Sequence, residues 1–493
     1  MPLDPRTPVL IGHGQVNHRE AAQENTLEPV DLMAAAAREA ADPRVLEAID
    51  SIRVVNLLSV HYRDPALLLG ARIGAGQFST RYSGIGGNFP QTLVNRACAD
   101  IQRGRAGVVL VAGAEMWRTR TQLRSGGQRL TYTEQDESVA VPEGSNENVP
   151  MAGAAEDRIR LDRPAYIYPM FEQALRISTG ESVDDHRRRV ADLWARFNQV
   201  AVRNPHAWIR KPVTAEEISQ PGPTNRMVSW PYTKLMNSNN MVDQGAALIL
   251  TSAEAATRLG IPDDRWVFPY AGTDAHDTYA ISERAELHRS PAIRIGGKRA
   301  LELAGLGIDD MDYVDLYSCF PSAVQVAAAE LGLPADDAAR PLTVTGGLTF
   351  AGGPWNNYVA HSIATMAGLL TANPGTRGLI TANGGYLTKH SFGVYGTKPP
   401  KSEFRWEDTQ SAVDSEPTRT AVMQWEGVGT VEAWTTPFDR EGQPEKAFLS
   451  VRTPDERRTL ALITDPSAAA QTVHEDIGGA KVTVHADGSA TLK

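Results

Sequence analysis

The sequence predicts a layered α/β fold built from two similar halves, with a small all-β domain appended. Three observations predict it. Strand and helix segments alternate along most of the chain, which implies sheets covered by helices on both faces. One local pattern occurs twice. Gly86-Gly87-Asn88-Phe89-Pro90-Gln91 opens a helix through Gln102, and beyond Gly104 the strand Val108 to Val111 runs into Ala112-Gly113-Ala114-Glu115. Gly346-Gly347-Leu348 and Gly352-Gly353-Pro354 precede a helix from about Tyr358 to Leu370, then Leu379-Ile380 runs into Asn383-Gly384-Gly385. Each copy reads loop, buried helix, strand, glycine turn. Such a duplication packs two equivalent helix N-termini around one site. Third, the tail reads as three strands, a helix and two strands, the order of an OB-type barrel.

In chain order, Val9 to Gly12 is a short buried strand and Asp31 to Ala41 an alanine-rich helix. Ile52 to Leu58 is a strand and Pro65 to Ile73 a helix. Residues 118 to about 235 break the alternation. Arg124 to Asn148 is polar and glycine-bearing, a surface loop. Val183 to Val202 places Val190, Leu193, Trp194, Phe197 and Val200 at helical spacing. Alternation resumes with the strand Asp243 to Leu250. The second half begins near Trp266, with a helix over Ala292 to Ala304, a strand over Met311 to Tyr317 and a helix over Phe320 to Leu331. Pro399 to Pro417 reads as a charged linker. In the tail, Gly427 to Trp434, Ala447 to Val451 and Thr459 to Ile463 are strands. Ser467 to Glu475 is a helix, and Lys481 to His485 and Ser489 to Leu492 close the domain. The expected units are 1–265 with a loop domain at about 118–235, 266–398, and 418–493.

Residues 5 to 398 resemble the thiolase superfamily, nearest to the sterol-carrier type and its thiolase-like type 1 relatives, which are expected to carry an added C-terminal domain. The resemblance implies a duplicated thiolase fold, α-β-α-β-α in layers, with a loop domain that covers coenzyme A. It also implies which positions carry chemistry. Members place a cysteine nucleophile where the first motif helix begins, and counting back from Gly104 and Glu115 puts Gly87 there. Members read Gly-His-Pro where this chain reads Gly352-Gly353-Pro354, so Gly353 replaces a histidine. Sterol-carrier thiolases read His-Asp-Cys-Phe where this chain reads Tyr317-Ser318-Cys319-Phe320. The last motif, Cys-x-Gly, falls near Asn383 and has no cysteine.

Glycine at the nucleophile position cannot form an acyl-enzyme, and losing a nucleophile costs on the order of 10⁶ in turnover. The catalytic candidates that remain are Tyr317, Cys319 and His390; their alternatives are a packed tyrosine, a small buried filler and one of a solvated loop pair with Lys389. A phenol near a helix N-terminus can serve as acid or base. Asn88, Asn356 and Lys389 are candidates for binding substrate; Asn356 is also a candidate cap for the second motif helix. Lys389 and His390 are read as a loop pair after the last glycine turn. Cys98 lies among apolar neighbours as a core cysteine, and His361 as a core-edge residue. His186 with Arg187, Arg188 and Arg189 is either a solvated helix face or a site for coenzyme A phosphates. Thiolase-fold aldolases of steroid side-chain degradation also lack the cysteine, use tyrosines and work with an OB-fold partner. Retro-aldol cleavage of a 3-hydroxyacyl-CoA therefore stands beside atypical acyl transfer and a non-catalytic acyl-CoA-binding scaffold. Whether the chain is an enzyme stays open.

The chain has 493 residues, 42% hydrophobic and 22% charged, with a net charge of −10. That balance describes an ordinary globule and argues against nucleic acid or anionic membrane as the main partner. Acidic residues through the tail argue the same for its OB-like domain. Two cysteines give no disulfide framework and suit a reducing cytoplasm. No run of about 18 apolar residues predicts a membrane span, and no signal peptide is expected. No cluster has metal-ligand spacing. No bound cofactor is expected; coenzyme A or an acyl-CoA is the implied ligand. The family dimerises through the strand before the nucleophile, here Ser79 to Gly87. Its glycines weaken a strand, so a monomer is favoured.

Overall fold

The computed structural model describes residues 3–145 and 147–493. The first half contributes strands β1 (Pro8–Asn17), β2 (Ser51–Val54), β3 (Ser79–Tyr82), β4 (Val108–Met116) and β5 (Asp243–Ser252). The second contributes β6 (Phe268–His276), β7 (Tyr313–Asp315), β8 (Arg377–Gly384), β9 (Lys389–Gly396) and β10 (Arg405–Asp408). Their sheet orders are β1-β5-β4-β2-β3 and β10-β6-β9-β8-β7. In both, two antiparallel pairings meet one parallel pairing: β1·β5, β5·β4 and β4·β2 match β6·β9, β9·β8 and β8·β7. The duplication is therefore structural, four strands in each half.

Helices α1 (Phe89–Gln102) and α2 (Tyr358–Ala372) are the two motif helices and lie side by side between the sheets. Their sequences explain the position. Eleven of the fourteen residues of α1 are buried, among them Leu93, Val94, Ala97, Cys98 and Ile101, and only a narrow strip at Arg96, Asp100 and Gln102 is left for water. α2 buries Val359, Ile363, Met366, Ala367 and Leu370. Polar residues on α1 survive burial by finding partners on β9. Asn95 Nδ2 donates to Ser391 Oγ at 3.1 Å and to the Phe392 carbonyl at 3.2 Å. Gly272 makes the room, since a Cβ there would lie 2.2 Å from Asn95 Oδ1.

Two expectations are corrected here. Lys389 and His390 are not on a loop. They open β9, pairing with Gly384 and Asn383 on one side and His276 and Ala275 on the other, and both are buried. The turn is shorter than expected because Leu387 takes a left-handed conformation, φ 55°, and brings the chain straight back. The stretch 399–417 is not a plain linker. Its residues 405–408 form β10, which adds a parallel edge strand to β6.

Val183–Arg203 is a helix as expected, with Arg188 exposed on a solvated face, and the reading of His186 is corrected. His186 does not sit in a solvated basic patch and does not present to a phosphate. It is buried between Glu181 and Glu172, with ring nitrogens 2.6 Å and 2.5 Å from their oxygens. Glu172 also accepts from Tyr232 at 2.5 Å and Gln325 at 2.7 Å. Those carboxylates raise the His186 pKa against the opposing effect of burial.

The edge strand β3 is covered by its own chain. Tyr82 N donates to the Glu143 carbonyl at 3.1 Å, Arg81 bridges Glu143, and Arg96 pairs with Glu147 at 2.9 Å. Gly84 admits this segment, because a Cβ there would meet the Glu147 carbonyl at 2.2 Å.

The tail forms β11 (Gly427–Pro437), β12 (Ala447–Arg452), β13 (Arg458–Ile463), a helix over Pro466–His474, then β14 (Lys481–Val484) and β15 (Ala490–Leu492). Three strands, a helix and two strands is the expected order. The sheet runs β13-β12-β11-β14-β15, and its end strands meet at one parallel bridge, Leu462 to Ser489. Two features hold it to the core. β11 continues into the loop-domain hairpin, Thr436 pairing with Trp230. Arg458, fully buried, grips Glu432 at 2.7 Å and donates to the carbonyls of Ser282 and Arg284 from the second half. Glu432 is held at a pKa of about 2 by the Arg458 and Arg452 guanidiniums despite its burial.

Among the described residues no helix is long and apolar enough to cross a membrane. Replacing one member of a buried pair strands its partner at a cost of about 3–5 kcal/mol. Arg458→Ala is therefore expected to lower the urea midpoint strongly and to expose the 418–493 tail to protease first. An unchanged midpoint would show that Arg458 does not hold the tail.

Candidate functional site

The site is assembled where the two motif helices begin. Gly86 and Gly87 precede α1, and Asn356 and Asn357 precede α2. Asn356 does not cap its helix. Its Oδ1 accepts from Gly86 N at 3.1 Å and its Nδ2 donates to the Asn56 carbonyl at 3.0 Å, so it ties the two motifs together. Asn357 donates to the Gly113 carbonyl at 2.7 Å in the same way. The reason is local: Trp355, at φ 47°, turns the chain before α2 and points both asparagines at the first half. Non-glycine residues in that region cost about 1–3 kcal/mol, and such strain gathers at functional turns. Trp355 and Leu387 lie just after two of the four motifs.

Tyr317 arrives from β7. Its backbone N donates to Thr381 Oγ1 at 2.9 Å, which aligns it with β8. Its hydroxyl lies 2.5 Å from where a Cβ on Gly87 would stand, and the Asn383 carbonyl lies 2.5 Å from the same point. The phenol thus occupies the space a side chain at Gly87 would need. Burial raises its pKa well above the ordinary tyrosine value, so it is a neutral donor at pH 7. The other glycine is equally crowded: a Cβ on Gly353 would lie 2.1 Å from Ser238 Oγ and 2.8 Å from Asn240 Oδ1.

Cys319 is buried, and its thiol is pushed up to about 12, with Asn383 Nδ2 at 3.9 Å. A thiol held protonated in this way is a poor nucleophile. Asn383 donates to Tyr168 Oη at 2.9 Å, and that oxygen also accepts from Leu387 N at 2.8 Å. Lys389 is nearer the glycines. Its Nζ donates to the Ile85 carbonyl at 2.5 Å and lies 2.9 Å from a Cβ position on Gly86. Burial brings its pKa down to about 8, within reach of the neutral amine. Asn88 Oδ1 lies 2.4 Å from that same Gly86 position and has no hydrogen-bond donor among the described residues.

The structure therefore brings Tyr317, Cys319, Asn383, Lys389, Asn88 and Asn356 together around Gly87. It turns His390 elsewhere: its Nε2 faces Asp277 at 3.7 Å, with the Phe392 ring stacked alongside. Tyr358 is also committed. Its hydroxyl bonds Thr345 at 2.6 Å and Asp315 at 3.1 Å, and Ser362 and Thr343 donate to the same Asp315 carboxylate. Cys98 is a core residue as expected, with a thiol raised by burial. His361 is inside rather than at the core edge; it meets Gln15 at 3.1 Å and burial lowers its pKa to about 3. Tyr168 and Ser238 were missed by sequence reasoning. The run Ser238-Asn239-Asn240 before an apolar strand was the available signal for the second.

Comparison with known proteins gives the family. Residues 408–489 match the thiolase-like protein type 1 additional C-terminal domain, and residues 273–358 match the thiolase C-terminal domain-like family. The chain is 30% identical to a monomeric SCP2-thiolase-like protein type 1 from Mycobacterium smegmatis, covering 100% of both chains, with a TM-score of 0.84. The chain belongs to the thiolase-like protein type 1 family. An Ltp2-ChsH2 aldolase structure shares its fold at 19% identity and a TM-score of 0.57, over 80% of this thiolase-like chain and 98% of the other. An acetyl-CoA acetyltransferase from Methanothermobacter thermautotrophicus is 29% identical over 132 residues, 27% of this chain and 32% of that relative. The match thus spans about a third of the curated relative's length.

Proposed function

We propose that this thiolase-like protein binds an acyl-CoA-type thioester at the paired helix N-termini and cannot use the cysteine ping-pong route. The observation that carries this reading is the Tyr317 hydroxyl, 2.5 Å from the Cβ position of Gly87. A thioester entering there meets a neutral phenol and a lysine of depressed pKa in place of a thiolate. The phenol can donate a hydrogen bond to a developing oxyanion, and the neutral amine can accept a proton. Any acyl transfer then proceeds without a covalent intermediate.

A second reading is retro-aldol cleavage of a 3-hydroxyacyl-CoA, favoured by the proximity of Lys389 to Gly86. In that step the amine takes the 3-hydroxyl proton, the C2–C3 bond breaks to leave a carbonyl product, and its electrons form the thioester enolate. Tyr317 donates to that enolate oxygen, and protonation at C2 gives the shortened acyl-CoA. Tyr358 is no second catalytic tyrosine in this scheme, being bound to Asp315.

The purified protein is expected to show no thiolysis of acetoacetyl-CoA at ordinary enzyme rates. On any thioester that it does turn over, Tyr317→Phe should lower kcat by about 10²–10³, the usual effect of removing one oxyanion donor. Fast thiolysis, or unchanged turnover in Tyr317→Phe, would contradict the reading.

We also infer a monomer. The support is the contacts that Glu143 and Glu147 make with Arg81, Tyr82 and Arg96, together with the monomeric relative. Light scattering should give a mass near 53.4 kDa, and twice that value would contradict it.

A further inference from the structure

The turn between β8 and β9, residues 385–388, aims Lys389 at the site, and it contains a strained residue. Leu387 sits at φ 55°. A non-glycine residue keeps that conformation only where its surroundings over-determine it. Three groups do so here. Leu387 N donates to Tyr168 Oη at 2.8 Å, and Asp277 N donates to the Thr388 carbonyl at 2.8 Å. Arg284 Nη2 donates to the Tyr386 carbonyl at 2.9 Å and to the Leu387 carbonyl. Those two carbonyls belong to the peptide planes on either side of the Leu387 Cα. Holding both planes fixes its φ and its ψ.

Arg284 is buried, with its guanidinium 5.1 Å from the Phe171 ring centre and the Asp277 and Glu156 carboxylates facing it. Its Nε and Nη1 have no hydrogen-bond partner among the described residues. Buried donors left unpaired are destabilising, and a packed apolar side chain often replaces a buried ion at no loss. Stability alone therefore does not account for an arginine at this position, whereas its grip on the turn does.

The tail holds Arg284 in turn. Arg458 on β13 donates to the carbonyls of Ser282 at 3.1 Å, of Ala285 at 3.4 Å and of Arg284 itself. Glu432 on β11 fixes Arg458, accepting from its Nε and its Nη2, each at 2.7 Å. One run of contacts thus leads from Glu432 through Arg458 and Arg284 to Leu387, two residues before Lys389.

We propose that Arg284 is a positioning residue for Lys389, and that the appended tail keeps it in place through Arg458. This rests on the acyl-CoA reading above, in which the Lys389 amine accepts a proton. It gives the tail a part in the chemistry of a site that it does not touch. Lys389 Nζ faces the Ile85 carbonyl and the Phe89 ring at 5.9 Å, with Asn88 Oδ1 beside it across Gly86. None of these carries a charge, and burial is the cause of its lowered pKa. The ionisation of Lys389 therefore reports how firmly the turn keeps the amine away from water.

Nuclear magnetic resonance of lysine-labelled, ligand-free protein tests this, with the Lys389 13Cε signal assigned by its loss in Lys389→Met and followed as pH is varied. The wild type should titrate near pH 8. In Arg284→Met the released turn should admit water and raise the midpoint by about 1 unit or more, toward the ordinary lysine value. Arg458→Lys keeps the charge but cannot span the same carbonyls and Glu432 together, and should shift the midpoint in the same direction with the circular dichroism unchanged. Should Arg284→Met not fold, Arg284→Lys, which keeps the charge and loses the fork, takes its place under the same criteria. On any thioester that the protein turns over, the acid limb of kcat/KM should move with the midpoint. An unmoved Lys389 midpoint in the folded Arg284 variant would overturn the positioning. An unmoved midpoint in Arg458→Lys alone would overturn the part given to the tail. Shifted midpoints in a protein that turns over no thioester would uphold the positioning and contradict the catalytic reading instead.

Discussion

The structure depends on burying most of two helices between two sheets. α1 and α2 turn little surface to water, so the buried polar groups on them must find partners inside. The glycines that look like scattered breakers in the sequence are the solution. Gly272 admits Asn95, Gly393 admits Gln91 and Gly113 admits Asn357, each amide filling the space a Cβ would take. Those amides then reach across to the facing sheet or the opposite motif. The pair of helix N-termini ends up fixed to within a hydrogen bond, which any chemistry there requires.

That constraint explains what happens at Gly87. A helix N-terminus in a dry interior favours a charge or a strong donor–acceptor pair. Here the space is taken by the Tyr317 phenol, by the Asn383 carbonyl and, one residue earlier, by Lys389. The phenol stays neutral because burial outweighs its surroundings, while the same burial drives Lys389 toward its neutral form. One physical cause thus keeps the phenol protonated and brings the amine close to its neutral form near pH 8. Cys319 is silenced by burial too, at about 12.

Much of the frame was legible because its signals are local. Helical spacing in Val183 to Val202, the buried run at Val108, and the strand, helix and strand order of the tail all read within a few residues. The duplicated glycine motifs located the two central helices. Misreadings occurred where the deciding partner is far away in sequence. His186 looks basic and solvated beside three arginines, yet Glu172 takes it into the interior. Asn356 looks like a cap, yet its partners are Gly86 and Asn56. Lys389 and His390 look like loop residues because Gly384-Gly385 reads as the start of a long turn; Leu387 shortens it. Residues 405–408 look like linker because nothing local reveals the open edge of β6 that they cover. Tyr317 was legible as a replacement, but not that it would fill the space of Gly87.

The central claim, that the Tyr317 phenol stands in the place of a side chain at Gly87, is tested most directly by a stability cycle. Gly87→Ala would be measured by urea unfolding in the wild type and in a Tyr317→Ala background. The account predicts that Gly87→Ala destabilises the wild type by about 1–3 kcal/mol, as overpacking does. It also predicts a clearly smaller loss once the phenol is gone, with the Asn383 carbonyl leaving a residual cost. Equal effects in the two backgrounds, or a wild type that accepts alanine at no cost, would contradict it.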